Sequence, residues 1–287
     1  MVNKFFYYII VAGFIIVLIL GGIIFYQKNN HDLRVIFLDV GQGDAILIEQ
    51  GSNQMLIDGG RNGKTLLEKL GKYIPFWDRQ IEIMVATHPD QDHIGGLIDT
   101  LENYKVNAII KTEAESESRT FKALDELIRE ENADNIEAEK GVKIKFPAGA
   151  EGEIIYPFSS EAAALGESNA GSVVLKLTFG ENNFLFTGDL PSEKELILIR
   201  DSLALNSRVI KVAHHGSKYS TSEEFLEAVK PEDAIISVGK NNQYGHPALE
   251  VIERILKHGI KIFRTDEMGD IIYECKNQNS KCKIEFN

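Results

Sequence analysis

Val85-Ala86-Thr87-His88-Pro89-Asp90-Gln91-Asp92-His93-Ile94-Gly95-Gly96 decides how this chain is read. An apolar strand, Ile81 to Ala86, runs into a polar loop, and Gly95 and Gly96 lead into a helical pattern that reaches Tyr104. Four side chains able to ligate a metal fall within six positions: His88, Asp90, Asp92 and His93. A loop held at the end of a buried strand is rigid enough to fix such ligands. Imidazole and carboxylate together suit zinc, manganese or iron. One His and one Asp would read as an ordinary strand-to-helix loop with Asp92 capping the helix. H-x-D-x-D-H is too dense in ligands for that and points to a metal centre.

Other loops repeat the arrangement of strand, ligand-bearing loop and helix. The hairpin Val173 to Phe179 and Asn183 to Phe186 ends in Thr187-Gly188-Asp189. The apolar strand Arg208 to Ala213 ends in His214-His215-Gly216-Ser217. The strand Ala234 to Val238 is followed by Gln243-Tyr244-Gly245-His246-Pro247, where His246 is either a working residue or part of a helix-starting turn. Asp58 closes the strand Gln54 to Asp58 just before two glycines, as a turn former or as a support behind the ligands.

Around these loops the chain alternates strands and helices. Leu33 to Val40, Ala45 to Glu49 and Gln54 to Asp58 read as an antiparallel start joined by tight turns. Thr65 to Tyr73, Arg119 to Asn132, Glu193 to Arg200, Glu223 to Val229 and Leu249 to His258 read as helices. Ala108 to Lys111, Gly141 to Phe146, Glu153 to Tyr156 and Lys261 to Arg264 read as strands, and Ser159 to Gly171 as a polar loop. No internal repeat at a solenoid period is visible; the pattern leaves open a β-rich half followed by a related βα half.

The chain has 287 residues, 44% of them hydrophobic, enough for one large domain or two small ones. A formal net charge of −12 makes it a poor default binder of nucleic acid. Lys211, Lys218 and Lys240 would supply any local basic patch.

Phe5 to Tyr26 is an uncharged apolar run long enough to cross a bilayer. A cleaved signal peptide has a shorter apolar core and a small-x-small site. The expectation is a transmembrane or signal anchor over 1–27, a linker over 28–32 and one domain over 33–287, in a single-pass membrane protein. Lys4 on one side, with Lys28 and Arg34 on the other, scarcely decides orientation. Cys275 and Cys282 flank the turn of a C-terminal hairpin that sets the two thiols opposite each other. A bridge there implies an oxidising, extracytoplasmic compartment; free thiols are the other reading.

Six motifs, in this order, resemble the metallo-β-lactamase superfamily and, within it, the hydrolase-like domain of ComEC competence proteins. They are Phe37 to Asp44, Leu56 to Gly60, Thr87 to Gly96, Phe186 to Asp189, Lys211 to Ser217 and Tyr244 to Pro247. The resemblance covers Leu33 to Met268. It implies an α/β fold of the four-layer αββα sandwich type, with a dinuclear centre on one edge. The channel-forming membrane helices of ComEC are absent, so the expectation is a stand-alone relative with its own anchor. The first ion would take His88, Asp90 and a bridging Asp189. The superfamily's usual third histidine has no counterpart, since no histidine lies between Ile94 and Gly188, and Asn169 is the substitute. The second ion would take Asp92, His93, Asp189 and one of the histidine pair, with His214 preferred. Oxygen in place of nitrogen at two positions hardens the site, so two divalent ions, manganese or zinc, are expected.

The expected activity is phosphodiester hydrolysis by a metal-bound hydroxide. Asp92 would orient or deprotonate the water, and His215 or His246 would protonate the leaving oxygen. Ser217 and Lys218 would hold a phosphate. The resemblance suggests DNA as the phosphoester, and no protein partner is inferred. The alternatives are hydrolysis of a carboxyl-type bond, as by lactamases or lactonases, and a non-catalytic binding module with a degenerate metal site.

Overall fold

Short apolar strands joined by tight turns cannot bury both faces alone, so they assemble into sheets that helices then cover. The computed structural model describes residues 4–28, 31–158, 168–201, 204–276 and 278–287. Helix α1 (Lys4–Lys28) is apolar all round, and its most hydropathic stretch, Phe6–Ile23, packs against nothing. It is a candidate membrane span by length and composition. Then come β1 (Leu33–Phe37), β2 (Ile46–Gln50), β3 (Asn53–Ile57), α2 (Gly63–Tyr73), β4 (Gln80–Ala86) and α3 (Gln91–Asn103). They are followed by β5 (Lys105–Lys111), α4 (Arg119–Glu130), β6 (Asp134–Glu137), β7 (Lys143–Lys145) and β8 (Glu151–Tyr156). The second half holds β9 (Val174–Phe179), β10 (Asn182–Phe186), α5 (Ser192–Arg200), β11 (Val209–Lys211), α6 (Glu223–Val229) and β12 (Asp233–Ile236). Helix α7 (Leu249–Lys257), β13 (Lys261–Arg264), α8 (Thr265–Met268), β14 (Ile271–Cys275) and β15 (Lys283–Phe286) close the chain.

Two sheets result. One has the order β15-β14-β1-β2-β3-β4-β5-β6, the other β13-β12-β11-β10-β9-β8-β7. Each starts antiparallel and turns parallel where helices become the connections: β3 to β6 in the first, β10 to β13 in the second. The inner faces meet through Phe37, Ile48, Val85, Leu175, Phe186 and Ile235, all buried. Leu66 and Leu70 of α2, Leu97 of α3 and Leu124 of α4 cover the outside of the first sheet. Leu198 of α5, Phe225 of α6 and Ile255 of α7 cover the second. This is the αββα sandwich.

Several boundaries differ from the sequence reading. Helix α3 begins at Gln91, not near Gly95, with Asp90 rather than Asp92 in the capping position. Asp92 and His93 therefore sit in its first turn. Strand β6 was not anticipated: Asp-Asn-Ile-Glu offers one apolar side chain, which suffices for an edge strand whose charges blunt further pairing. Of the polar loop over 159–171, residues 159–167 lie outside those described, and Ser168–Gly171 form a 3-10 turn. Residues 1–3 of the anchor and 29 and 30 of the linker also lie outside them. Strand β14 returns to pair with β1 in the register Leu33 with Cys275. Cys275 and Cys282 are joined by a disulfide.

Candidate metal centre

The parallel strands end on one edge, and the ligand-bearing loops meet there. Three histidines are fixed by their Nδ1 atoms. His93 Nδ1 lies 2.7 Å from Asp58 Oδ2, an acceptor, so this nitrogen carries the proton. His88 Nδ1 lies 3.0 Å from Thr87 Oγ1, which itself donates to Asp58 Oδ2 at 2.7 Å and so accepts from the histidine. His215 Nδ1 donates to the Ser237 carbonyl at 2.9 Å. Each Nε2 is thereby left with its lone pair. His88 Nε2, His93 Nε2, His215 Nε2, Asp189 Oδ1 and Asp44 Oδ1 are all buried without a hydrogen-bond partner. Buried polar atoms are rarely left so; the three Nε2 atoms and Asp189 Oδ1 together fit a cation, while Asp44 Oδ1 stands 3.5 Å from His215 Nδ1.

Distances agree. His93 Nε2 is 3.3 Å from Asp189 Oδ1, and His215 Nε2 is 3.5 Å from both Asp92 Oδ2 and Asp189 Oδ2. His88 Nε2 is 3.9 Å from Asp189 Oδ2 and 3.8 Å from Asp90 Oδ2. Ligands at about 2.1 Å from one tetrahedral ion stand roughly 3.4 Å apart. Two overlapping triads, His88-His93-Asp189 and Asp92-His93-His215, have the spacing to hold metal. Charge agrees as well. Asp44, Asp58, Asp90, Asp92 and Asp189 face one ammonium, that of Lys211. With neutral imidazoles this leaves four negative charges, the complement of two divalent ions.

The field is visible in the proton affinities. Burial alone would depress His93, but Asp189, Asp58 and Asp44 outweigh it and hold the imidazole well above its usual range. Burial likewise opposes the shift at His215, which Asp189, Asp44 and Asp92 push up to about 9. Asp189 stays well below the carboxylate range despite burial, because His93, His215 and Lys211 surround it. The field that draws protons to His93 and His215 draws metal cations to the same nitrogens, while burial and the neighbouring His93 hold His88 well below its usual range.

Local backbone makes this arrangement. Asp58, His214 and His215 have φ of 57°, 50° and 53°, the left-handed region that non-glycine residues seldom occupy. Two left-handed histidines in succession send their rings different ways. Hence His215, not the preferred His214, stands against Asp92. His214 is partly exposed, with Nε2 3.8 Å from Asp189 Oδ2 and Nδ1 3.4 Å from Asn169 Nδ2. Asn169 thus neighbours His214, in the 3-10 turn. Gly43 lets its loop close on the ligand loop: a Cβ there would stand 1.9 Å from the Asp92 carbonyl oxygen.

His246 lies on the rim, its ring 5.6 Å from that of His214 and 6.0 Å from that of Tyr244. Ser217 is buried and its Oγ accepts from the Tyr219 N–H within its own turn. Lys218 is exposed, with Nζ over the Tyr219 ring. Two residues of the cluster had no place at the centre in the sequence reading, which offered Lys211 only for a local basic patch, whereas it is buried. Asp44 heads a buried strand, and its carboxylate pairs with the Lys211 ammonium. Lys211 Nζ also donates to the Gly188 carbonyl at 2.9 Å and stands 3.5 Å from Asp189 Oδ1. The signal was present for Lys211: a charge inside an apolar strand must be paired.

An αββα sandwich with His and Asp ligands gathered on its edge defines a class, and the chain belongs to it: residues 38–240 match the family model of the metallo-beta-lactamase superfamily, whose members are metal-dependent hydrolases. The fold typically binds divalent metals. Among curated relatives, ComE operon protein 3 of Bacillus subtilis (strain 168) is 33% identical over 264 residues, which cover 85% of this chain and 33% of that protein. Competence protein ComA of Neisseria gonorrhoeae is 28% identical over 240 residues, covering 83% of this chain and 32% of that protein. Both are ComEC-like competence proteins. The chain spans about a third of the length of these relatives. The metallo-beta-lactamase fold protein YhfI from Bacillus subtilis has a TM-score of 0.58 at 10% identity, over 84% of this chain and 99% of that one. That likeness is one of fold.

Proposed function

We propose that this chain is a membrane-anchored, dinuclear metal-dependent phosphodiesterase, with residues 1–27 as anchor, 28–32 as linker and 33–287 as hydrolase domain. The observation that carries the reading is the set of buried, unpartnered Nε2 atoms of His88, His93 and His215 facing Asp189. Asp92, His93, Asp189 and His215 would hold one ion, and His88, Asp90 and Asp189 the other, with His214 and Asn169 beside them. Manganese and zinc both suit this mixture of carboxylate and imidazole. The ions would supply charge neutralisation on the phosphate oxygens and an activated water.

The remaining steps belong to the chain. Asp92 orients the attacking water. His215 uses both ring nitrogens, so the leaving oxygen falls to His246 on the rim. Lys218, with the exposed rings of Tyr219 and Tyr244, lines the approach, and aromatic faces with a cation suit a nucleotide substrate. On the opposite side a groove of about 760 Å³ is lined by Glu113, Glu115, Asp125 and Glu137 against Lys111 and Arg129. That acidic path does not suit a polyanion. DNA as the substrate rests on the likeness to competence proteins. The disulfide supports an extracytoplasmic domain.

The test is turnover of bis-p-nitrophenyl phosphate and of linear DNA by protein stripped of metal, then supplied with manganese, zinc or magnesium. Metal-dependent cleavage that disappears in Asp92→Ala is the expected result. Metal uptake with cleavage of lactams or lactones only would replace phosphodiester by carboxyl-type substrates. Neither uptake nor cleavage would leave a binding module.

A further inference from the structure

The sandwich exposes different chemistry at its two ends. Strand β4 starts at Gln80 and delivers His88 just beyond its other end, seven strand residues, or roughly 20 Å, away. The chain enters the body from α1 at the starting end. Leu33, which opens β1, follows Lys28 by five peptide links, a reach of at most about 18 Å. Asp32 and Arg34 line one small cavity with Tyr73, Pro75 and Asp78. The turn between α2 and β4 therefore sits where the chain arrives from α1.

The tip of that turn is Phe76-Trp77. Phe76 is 77% exposed and Trp77 40%. The two rings meet edge to face at 4.8 Å. The turn beneath them is held: Ile74 is buried, its N–H donates to the Leu70 carbonyl, and the Asp78 N–H donates to the Pro75 carbonyl, both at 2.8 Å. Exposed Arg79 lies on the same turn, next to half-buried Asp78, while the Lys72 ammonium at the end of α2 is held by Asp270. The Lys105 N–H donates to the Arg79 carbonyl at 2.9 Å, which brings exposed Lys105 alongside. Scattered single apolar residues on a surface are ordinary. Paired large aromatics on a rigid turn among Lys and Arg match the headgroup layer, where amphipathic rings settle and cations meet lipid phosphate.

We propose that the Phe76-Trp77 turn is a membrane-contact site that enters the headgroup layer of the bilayer spanned by α1, and so turns the metal centre away from that bilayer. The proposal rests on the anchor reading of α1. Trp77 is the chain's one tryptophan, so the full-length protein reports on this turn alone. The experiment reconstitutes it in vesicles of phosphatidylcholine and phosphatidylglycerol and measures Trp77 emission against brominated lipid and against aqueous iodide. Flotation of the same sample reads the anchor separately.

The expected result is loss of most of the emission to brominated lipid and little to iodide. In Phe76→Ser, which still floats, the order of the two quenchers reverses. Protein that floats with Trp77 open to iodide and untouched by brominated lipid overturns the proposal and leaves the anchor standing. Protection from both quenchers would assign the turn to a protein contact and overturns it too. Failure to float removes the anchor and the proposal together.

Discussion

Asp58 and His93 are joined behind the candidate centre, Oδ2 to Nδ1 at 2.7 Å, and neither side chain reaches solvent. Asp58 also accepts from the Thr87 N–H at 2.8 Å and from its hydroxyl at 2.7 Å. One carboxylate thus sets the imidazole in the first turn of α3 and, through Thr87, that of His88. Asp58→Ala is expected to weaken metal affinity by about 10–100-fold while the fold persists. Competition with a chromophoric chelator measures the first, and circular dichroism the second.

The adjacent histidines should separate. His215→Ala removes a buried donor from the Asp92 side, so bound metal should fall from about two ions per chain towards one. His214→Ala should leave the tighter ion in place and mainly reduce turnover. Elemental analysis beside activity distinguishes them. Identical stoichiometry in the two variants would refute the assignment.

Lys211 gives a prediction about stability. Its ammonium is fully buried between Asp44 and Asp189. Lys211→Met leaves those carboxylates facing each other, a loss of about 3–5 kcal/mol in metal-free protein. A divalent cation restores positive charge at the same place. The variant should therefore gain more thermal stability from added manganese or zinc than the wild type does.

Asp270 makes stability depend on acid. Its buried carboxylate accepts from Lys69 at 2.6 Å, Lys72 at 2.8 Å, the Tyr73 hydroxyl at 2.7 Å and the Asp39 N–H at 2.9 Å. Burial would raise its proton affinity, but the lysines and the other donors outweigh it and hold the carboxyl below its ordinary 3.8. A depressed acid stabilises the fold above its unfolded value and loses that contribution as pH falls through the folded one. Asp270→Asn should lose about 1.5–3 kcal/mol at neutral pH. It should then show a shallower loss than wild type as pH falls from about 5 through the folded value below 3.8 in urea unfolding.

How far these residues were legible beforehand depended on what kind of constraint each obeys. His88, Asp90, Asp92 and His93 announce themselves because one loop carries them all. The two sheets were legible as well, since apolar strands and glycine turns recur along the chain. The pairing of Asp44 with Lys211 was not, because it crosses between the sheets and only the fold brings the two together. The choice between His214 and His215 turns on two left-handed backbone conformations, which neighbouring residue types do not encode. The helix start at Gln91 was hidden because Asp92 and His93 look like loop residues until the site explains them.

Strand β4 has a consequence for reach. One stretch of backbone joins the place where the chain arrives from α1 to the loop that carries His88, so the length of that strand sets a clearance. With α1 in a bilayer and the Phe76-Trp77 turn at its surface, as proposed, the centre would stand off from the lipid by roughly the 20 Å of β4. Phosphodiesters in the headgroups of its own leaflet would lie outside that working radius. Molecules presented from the aqueous side, or polymers that rise well above the surface, would come within it.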